Sequence, residues 1–236
     1  MELKVNDLDR VIAEFNTKFK LFSDGRYASF DFCYNYFRRT ENLTDDIEKS
    51  CLVLGFYLAS WGMYRGSSFL LKEKNARHFI PIIKYISTLD KSLWKIDVDN
   101  YNSENIKIIG DVYEAIRKKL VPNKNAHLTL VTKTLLGVFG FTPAFDNFFC
   151  DTFRNLSNEQ CGFRVLNINS LSFIKKFYEA NIDSIDKLST QNCTIDFKNG
   201  QKTDINYPKA KIIDMYGFMK EYLRREAQKN ISSIKK

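Results

Sequence analysis

Apolar residues recur at helical spacing along almost the whole chain, and this constrains its fold more than any other feature. Val11, Phe15 and Phe19 form one stripe, Phe79, Ile82, Ile83 and Ile86 a second, and Ile106, Ile109, Tyr113, Ile116 and Leu120 a third. Residues three and four apart share one side of a helix, so each stripe predicts a helix with one face toward a core. Ser170 is expected to open a further helix carrying Leu171, Ile174, Phe177 and Tyr178. Pro208 is expected to open the last, with Ile212, Met215, Met219 and Leu223 down one side. The exception is Thr194 to Ile205, where Asn199-Gly200 between alternating residues signals a β-hairpin. The expectation is a mainly α, compact multi-helix domain over residues 1–236 with one small β-hairpin; two helical lobes sharing a cleft is the alternative arrangement. Only 10 Gly and 4 Pro occur, without a linker, repeat or low-complexity block, so the chain reads as globular throughout.

The most apolar run, Cys51 to Leu71, is interrupted by Arg65 and Gly66-Ser67-Ser68, too early to cross a bilayer about 30 Å thick. It reads as a central buried helix, with Asp45 and Glu48 as a capping box and Arg65 complementing the dipole at the far end. No membrane partner is expected. An excess of 36 Lys and Arg over 28 Asp and Glu gives a net charge of +8, which favours a polyanionic partner, although a Lys-, Asn- and Ile-rich composition supplies a second origin for it. The basic residues are spread, with a denser run at Lys220, Arg224, Arg225, Lys229, Lys235 and Lys236. The five cysteines, Cys33, Cys51, Cys150, Cys161 and Cys193, are odd in number and scattered, and no secretory leader is evident, so a reducing cytoplasm is expected. His78 and His127 share no ligand spacing with any cysteine pair, so no metal or other cofactor is expected.

Chemistry concentrates in Lys133 to Phe149, a helix–turn–helix that is apolar apart from Lys133 and Asp146. Gly137 and Gly140 are expected to loosen its first helix, Thr142 to cap the second and Pro143 to occupy its first turn. Asp146 would then point from a helix N-terminus beside the bend. Either residue alone has an ordinary role, the lysine snorkelling at a helix edge and the aspartate offsetting a dipole. Together they suit catalysis: a carboxylate in a partly apolar pocket activates water or stabilises a cationic centre, and a nearby lysine tunes it or acts as an amine nucleophile. Asp31 and Asp214 are the other carboxylates that the periodicity places near the core.

Two further runs mix aromatic and basic residues. Trp61, Tyr64 and Arg65 follow the hydrophobic helix and would grip a base and a phosphate, or else pack as core with satisfied polar tips. In Asp31 to Arg39, Asp31 and Tyr34 are candidates for substrate contact and Arg38 and Arg39 for backbone phosphate, joined by Arg224 and Arg225 near the C-terminus; a packing helix with solvated arginines is the structural alternative.

Leu136-Gly137-Val138-Phe139-Gly140 with Thr142-Pro143-Ala144 is similar to the Leu-Pro-Gly-Val-Gly hairpin of helix–hairpin–helix DNA glycosylases. The chain lacks the hairpin proline, inserts Phe139, and carries Lys133 before the hairpin where bifunctional members carry it after. About 20 residues bear the resemblance. It implies an all-α enzyme that binds duplex DNA, extrudes a damaged or hypermodified base and cleaves its N-glycosidic bond, with Asp146 in the place of the family's aspartate. DNA repair or anti-phage defence, the latter through bases such as glucosylated hydroxymethylcytosine, would be the setting. A non-catalytic nucleic-acid-binding or antitoxin-like domain, or a helical interaction protein, would account for the charge and aromatics without catalysis.

Overall fold

The computed structural model describes residues 3–19, 22–122 and 126–234; Lys235 and Lys236 of the basic C-terminal run lie outside them. It is mainly helical: α1 (Leu8–Phe19), α2 (Ser29–Arg39), α3 (Ile47–Ser60), α4 (Phe69–Glu73), α5 (Ile80–Ile86), α6 (Ser103–Leu120), α7 (Leu128–Phe139), α8 (Asn147–Leu156), α9 (Ile168–Ala180), α10 (Ile182–Gln191) and α11 (Lys209–Ile234). Between α10 and α11 lies one antiparallel pair, β1 (Cys193–Ile195) and β2 (Lys202–Asn206). No helix among the described residues is long and apolar enough to cross a membrane.

Two helices run through the interior. On α7 every residue from Leu130 to Phe139 is buried, and on α11 every residue from Ala210 to Met219. Helix α7 packs against α2, α3 and α6, while α11 packs against α1, α8 and α10. Burying a helix on all sides needs close neighbours, and Gly137 supplies one: a Cβ there would sit 2.2 Å from the Tyr57 ring. The Tyr57 hydroxyl donates to the Lys133 carbonyl at 3.0 Å, tying α3 to α7. Gly140 then ends α7 in the left-handed region at φ +75°. Neither glycine loosens α7; one admits a neighbour and the other stops the helix.

Several helix ends differ from the sequence expectation because a better-placed side chain takes the cap. Asp46, not Asp45, caps α3 by accepting the Lys49 amide at 2.9 Å. That helix stops at Ser60, so Arg65 lies in the following turn rather than over its last carbonyls. Asn167 caps α9, and Ser170 answers it reciprocally from the third helical position. Pro208 does immediately precede α11. The hairpin exists, but its strands are shorter than the alternation suggests: residues 196–201 form the connection, closed by the Gly200 amide on the Asp196 carbonyl at 2.9 Å, and the register shifts between Cys193 and Ile195.

Candidate functional site

A lysine at position 133 sits within the wholly buried stretch of α7, where the hydration its side chain gives up has to be replaced by partners. Its Nζ lies 3.1 Å from Asp146 Oδ2 and 5.0 Å from the centre of the Trp61 ring. Asp146 is itself the N-cap of α8: Oδ1 accepts the Phe149 amide at 3.0 Å. This corrects the expected capping by Thr142, which is buried and donates toward the Pro143 carbonyl, with Pro143 outside the helix. The helix starts at Asn147, five residues past Thr142, and the Asp146 carboxylate there also meets the positive end of the helix dipole. Both carboxylate oxygens are thus committed, while the side chain keeps 16% of its surface open against 4% for Lys133.

That remaining surface faces a pocket of about 500 Å³ whose lining includes Lys133, Asp146, Trp61 and Arg65. Its other rings come from distant parts of the chain: Tyr27 from the short turn before α2, Phe148 from α8, Phe218 and Tyr222 from α11. These rings contact each other, Phe148 with Phe218 at 5.0 Å, Tyr27 with Phe218 at 6.1 Å and Phe218 with Tyr222 at 6.1 Å. Arg26 and Arg225 add cations, the latter 4.4 Å above the Phe148 ring. Trp61 is 6% exposed, with the ammoniums of Lys133 and Lys211 against its ring, so it forms a wall of this pocket rather than an open stacking platform.

Beneath the pocket lies a second Lys–Asp pair. Lys211 and Asp214, one turn apart on α11, meet at 2.8 Å with side chains only 2% and 5% exposed. The Lys211 ammonium is 4.3 Å from the Trp61 ring centre and 4.7 Å from that of Phe30. Burial draws its pKa below the ordinary lysine value; Asp214 opposes that, the Lys133 charge adds to it, and Asp31 opposes it again.

The remaining candidates are dispersed. Tyr64 is half-buried and does not line this pocket. Asp31 is fully buried and accepts the Tyr207 hydroxyl and, at 3.1 Å, the Ile195 amide, so it ties α2 to the hairpin segment instead of meeting the pocket. Tyr34 lines a separate, polar cavity with Arg38 and Arg39. Arg38 donates to the Tyr34 hydroxyl at 3.1 Å, and Arg39 pairs with Asp204 at 2.9 Å. Arg224 and Arg225 both pair with Glu221 at 2.6 Å, and Arg225 also with Asp151 at 2.6 Å. The four arginines proposed for DNA backbone thus fall in two places, and three of them carry carboxylate partners.

Sequence reasoning missed Lys211 and the Tyr27, Phe148, Phe218 and Tyr222 rings. Lys211 left a signal, a cation three residues before Asp214 in a stretch that is otherwise uncharged on every side of the helix; the rings left none, because each is an ordinary aromatic until the fold brings it beside the others. His78 spends Nε2 on the Leu120 carbonyl at 2.7 Å, and His127 sits at the N-cap of α7. Cys33 and Cys150 are buried thiols whose pKa burial pushes up, that of Cys150 to about 12, so they behave as small core groups. No cluster of His, Cys, Asp and Glu that would hold a metal ion occurs among the described residues. Compared with protein-family models, curated proteins and solved structures, the chain matches none of them.

Proposed function

We propose that the protein is a DNA glycosylase acting on a flipped base, with Asp146 as the charge-stabilising carboxylate. The observation that carries this reading is the setting of Asp146: a cap-fixed, lysine-paired carboxylate at the wall of a pocket lined by aromatic rings and flanked by arginines. Flat aromatic surfaces suit an extruded base, and Arg26, Arg65 and Arg225 suit the phosphates beside it. In the reaction the C1′–N bond breaks with its electrons leaving on the base, which takes up a proton; positive charge at C1′ develops against Asp146, and water adds there and loses a proton. Lys133, 3.1 Å from that carboxylate, is the candidate amine for a lyase variant of the chemistry: its ammonium passes a proton to Asp146, and the freed amine adds at C1′ in place of water as the C1′–N bond breaks and its electrons leave on the base.

Incubation with duplex DNA carrying normal, damaged and hypermodified bases, followed by alkali, tests the reading directly. Alkali-labile abasic sites are expected with one base class and are expected to disappear in Asp146→Asn. Absence of base release from every substrate would end it. A second reading, a helical interaction protein, is favoured by one specific observation, the exposed Leu52, Phe56 and Phe197. DNA binding that falls steeply between about 50 and 200 mM salt separates the two, because each phosphate contact releases counterions.

A further inference from the structure

Residues 140–145 connect α7 to Asp146 without regular secondary structure, and a reacting carboxylate at the end of such a segment has to be held to within about 0.5 Å to be useful. Three side chains take its backbone groups in succession. Asp214 Oδ1 accepts the Ala144 amide at 3.0 Å, Thr132 Oγ1 accepts the Phe145 amide at 2.8 Å, and Thr129 Oγ1 donates to the Phe145 carbonyl at 2.9 Å. The two threonines belong to α7 and hold the segment to its own helix. Asp214 belongs to α11 and holds it across the core.

The third clamp is built at high cost. One amide needs only a neutral acceptor, yet the chain buries an aspartate there and a lysine beside it, two charges whose removal from water is strongly unfavourable. Asp214 Oδ2 accepts from Lys211 at 2.8 Å, which leaves Oδ1 aimed at Ala144, two residues before Asp146. The Lys211 ammonium also rests on the Trp61 ring, the same ring that Lys133 touches from the pocket side of the pair.

We propose that Lys211 and Asp214 are positioning residues for Asp146: Lys211 orients the Asp214 carboxylate, and Asp214 fixes the Ala144 amide so that Asp146 enters α8 aimed at the pocket. The activity consequence rests on the glycosylase reading of Asp146; the anchoring itself does not. Two double variants separate the anchor from the charge. Lys211→Met/Asp214→Leu removes both charges and the acceptor for Ala144, whereas Lys211→Met/Asp214→Asn removes both charges and keeps an acceptor. Replacing a whole buried pair by apolar groups of similar volume is commonly neutral or stabilising, so both are expected to fold.

In single-turnover assays the Met/Leu variant is expected to lose base release by about a hundredfold, the scale of a misplacement near 1 Å, with its Kd for the same duplex DNA within about twofold of the parent. Met/Asn is expected to recover to within about threefold of the parent. Hydrogen exchange supplies a readout that needs neither activity nor full stability: the Ala144 amide should exchange at least about a hundredfold faster in Met/Leu than in Met/Asn, while amides of α9 match. Equal Ala144 exchange in the two variants overturns the proposal, as does full base release in Met/Leu or an equal loss in Met/Asn. If the parent protein releases no base, the glycosylase reading fails, and the exchange arm still decides whether this pair anchors the segment.

Discussion

Lys133–Asp146 and Lys211–Asp214 are chemically the same pair, packed against the same indole, yet they are built for different work. In the first, the aspartate caps α8 and retains an open flank toward a pocket; in the second, the aspartate is spent on Lys211 and the Ala144 amide and has 5% of its surface left. The separation between partners, 3.1 and 2.8 Å, hardly distinguishes them. What does is where the carboxylate's remaining face points. A buried ion pair with no open flank is interior architecture; one with an open flank is available to a ligand, and the neighbouring interior pair supplies a rigid backing for it.

The sharpest way to break this comparison is to remove one lysine at a time. Lys211→Met leaves Asp214 charged with no water to turn to, and urea denaturation is expected to show a loss of about 3–5 kcal/mol. Lys133→Met leaves Asp146 beside a pocket and still accepting the Phe149 amide, so a smaller loss of about 1–3 kcal/mol is expected. Equal losses would mean that the pocket does not rehydrate Asp146, and the contrast between the pairs would collapse.

Next in size is the activity contrast. Asp146→Asn keeps a side-chain acceptor for the α8 cap and removes the charge, so base release should fall at least about a hundredfold with the helical circular dichroism and DNA binding retained. Undiminished release would shift attention to other carboxylates. Lys133→Gln divides the mechanism: loss of a borohydride-trappable adduct together with strand cleavage would mark an amine nucleophile, whereas continued base release without an adduct would leave Lys133 as the partner that holds Asp146.

The smallest effect is a pH dependence. Because the Lys211 pKa is lower in the folded protein than the ordinary 10.5, the unfolded chain binds more protons between those two values. The lysine's contribution to stability therefore rises with pH through that window. Lys211→Met/Asp214→Asn lacks it, and the stability difference between parent and variant should move in the parent's favour as pH approaches 10.5. The buried tyrosines titrate in both proteins and cancel in the difference. A flat difference would show that Asp214 and Asp31 fully offset the burial of this ammonium.

The helices were legible from the chain because helical spacing is local: a stripe such as Ile109, Tyr113 and Ile116 needs no partner to be recognised, and those residues do lie buried on α6. Lys133 and Asp146 were legible as a pair for a related reason, since 13 residues and one turn separate them and any compact arrangement of that turn brings them near. Cap identity was less so. Thr142-Pro143, Asp45 and Ser170 each carry an acceptable start signal, and the choice of Asp146, Asp46 and Asn167 depends on where each packed helix begins. Asp31 and Arg39 looked like contact residues because a helix face reads the same whether it meets a ligand or the hairpin, and here it meets the hairpin, Ile195 for Asp31 and Asp204 for Arg39.

By itself, then, the sequence determined a mainly helical protein with one small hairpin and placed a lysine and an aspartate on either side of a tight bend, because periodicity, caps and short loops act within a few residues. Tertiary structure alone decided which aromatic rings form the pocket, that two ammoniums lie against the Trp61 ring, and that Asp214 reaches 70 residues back along the chain to hold Ala144. Those contacts arise from how α3, α7, α8 and α11 pack, and packing depends on the shape of every neighbour at once, which no local pattern carries.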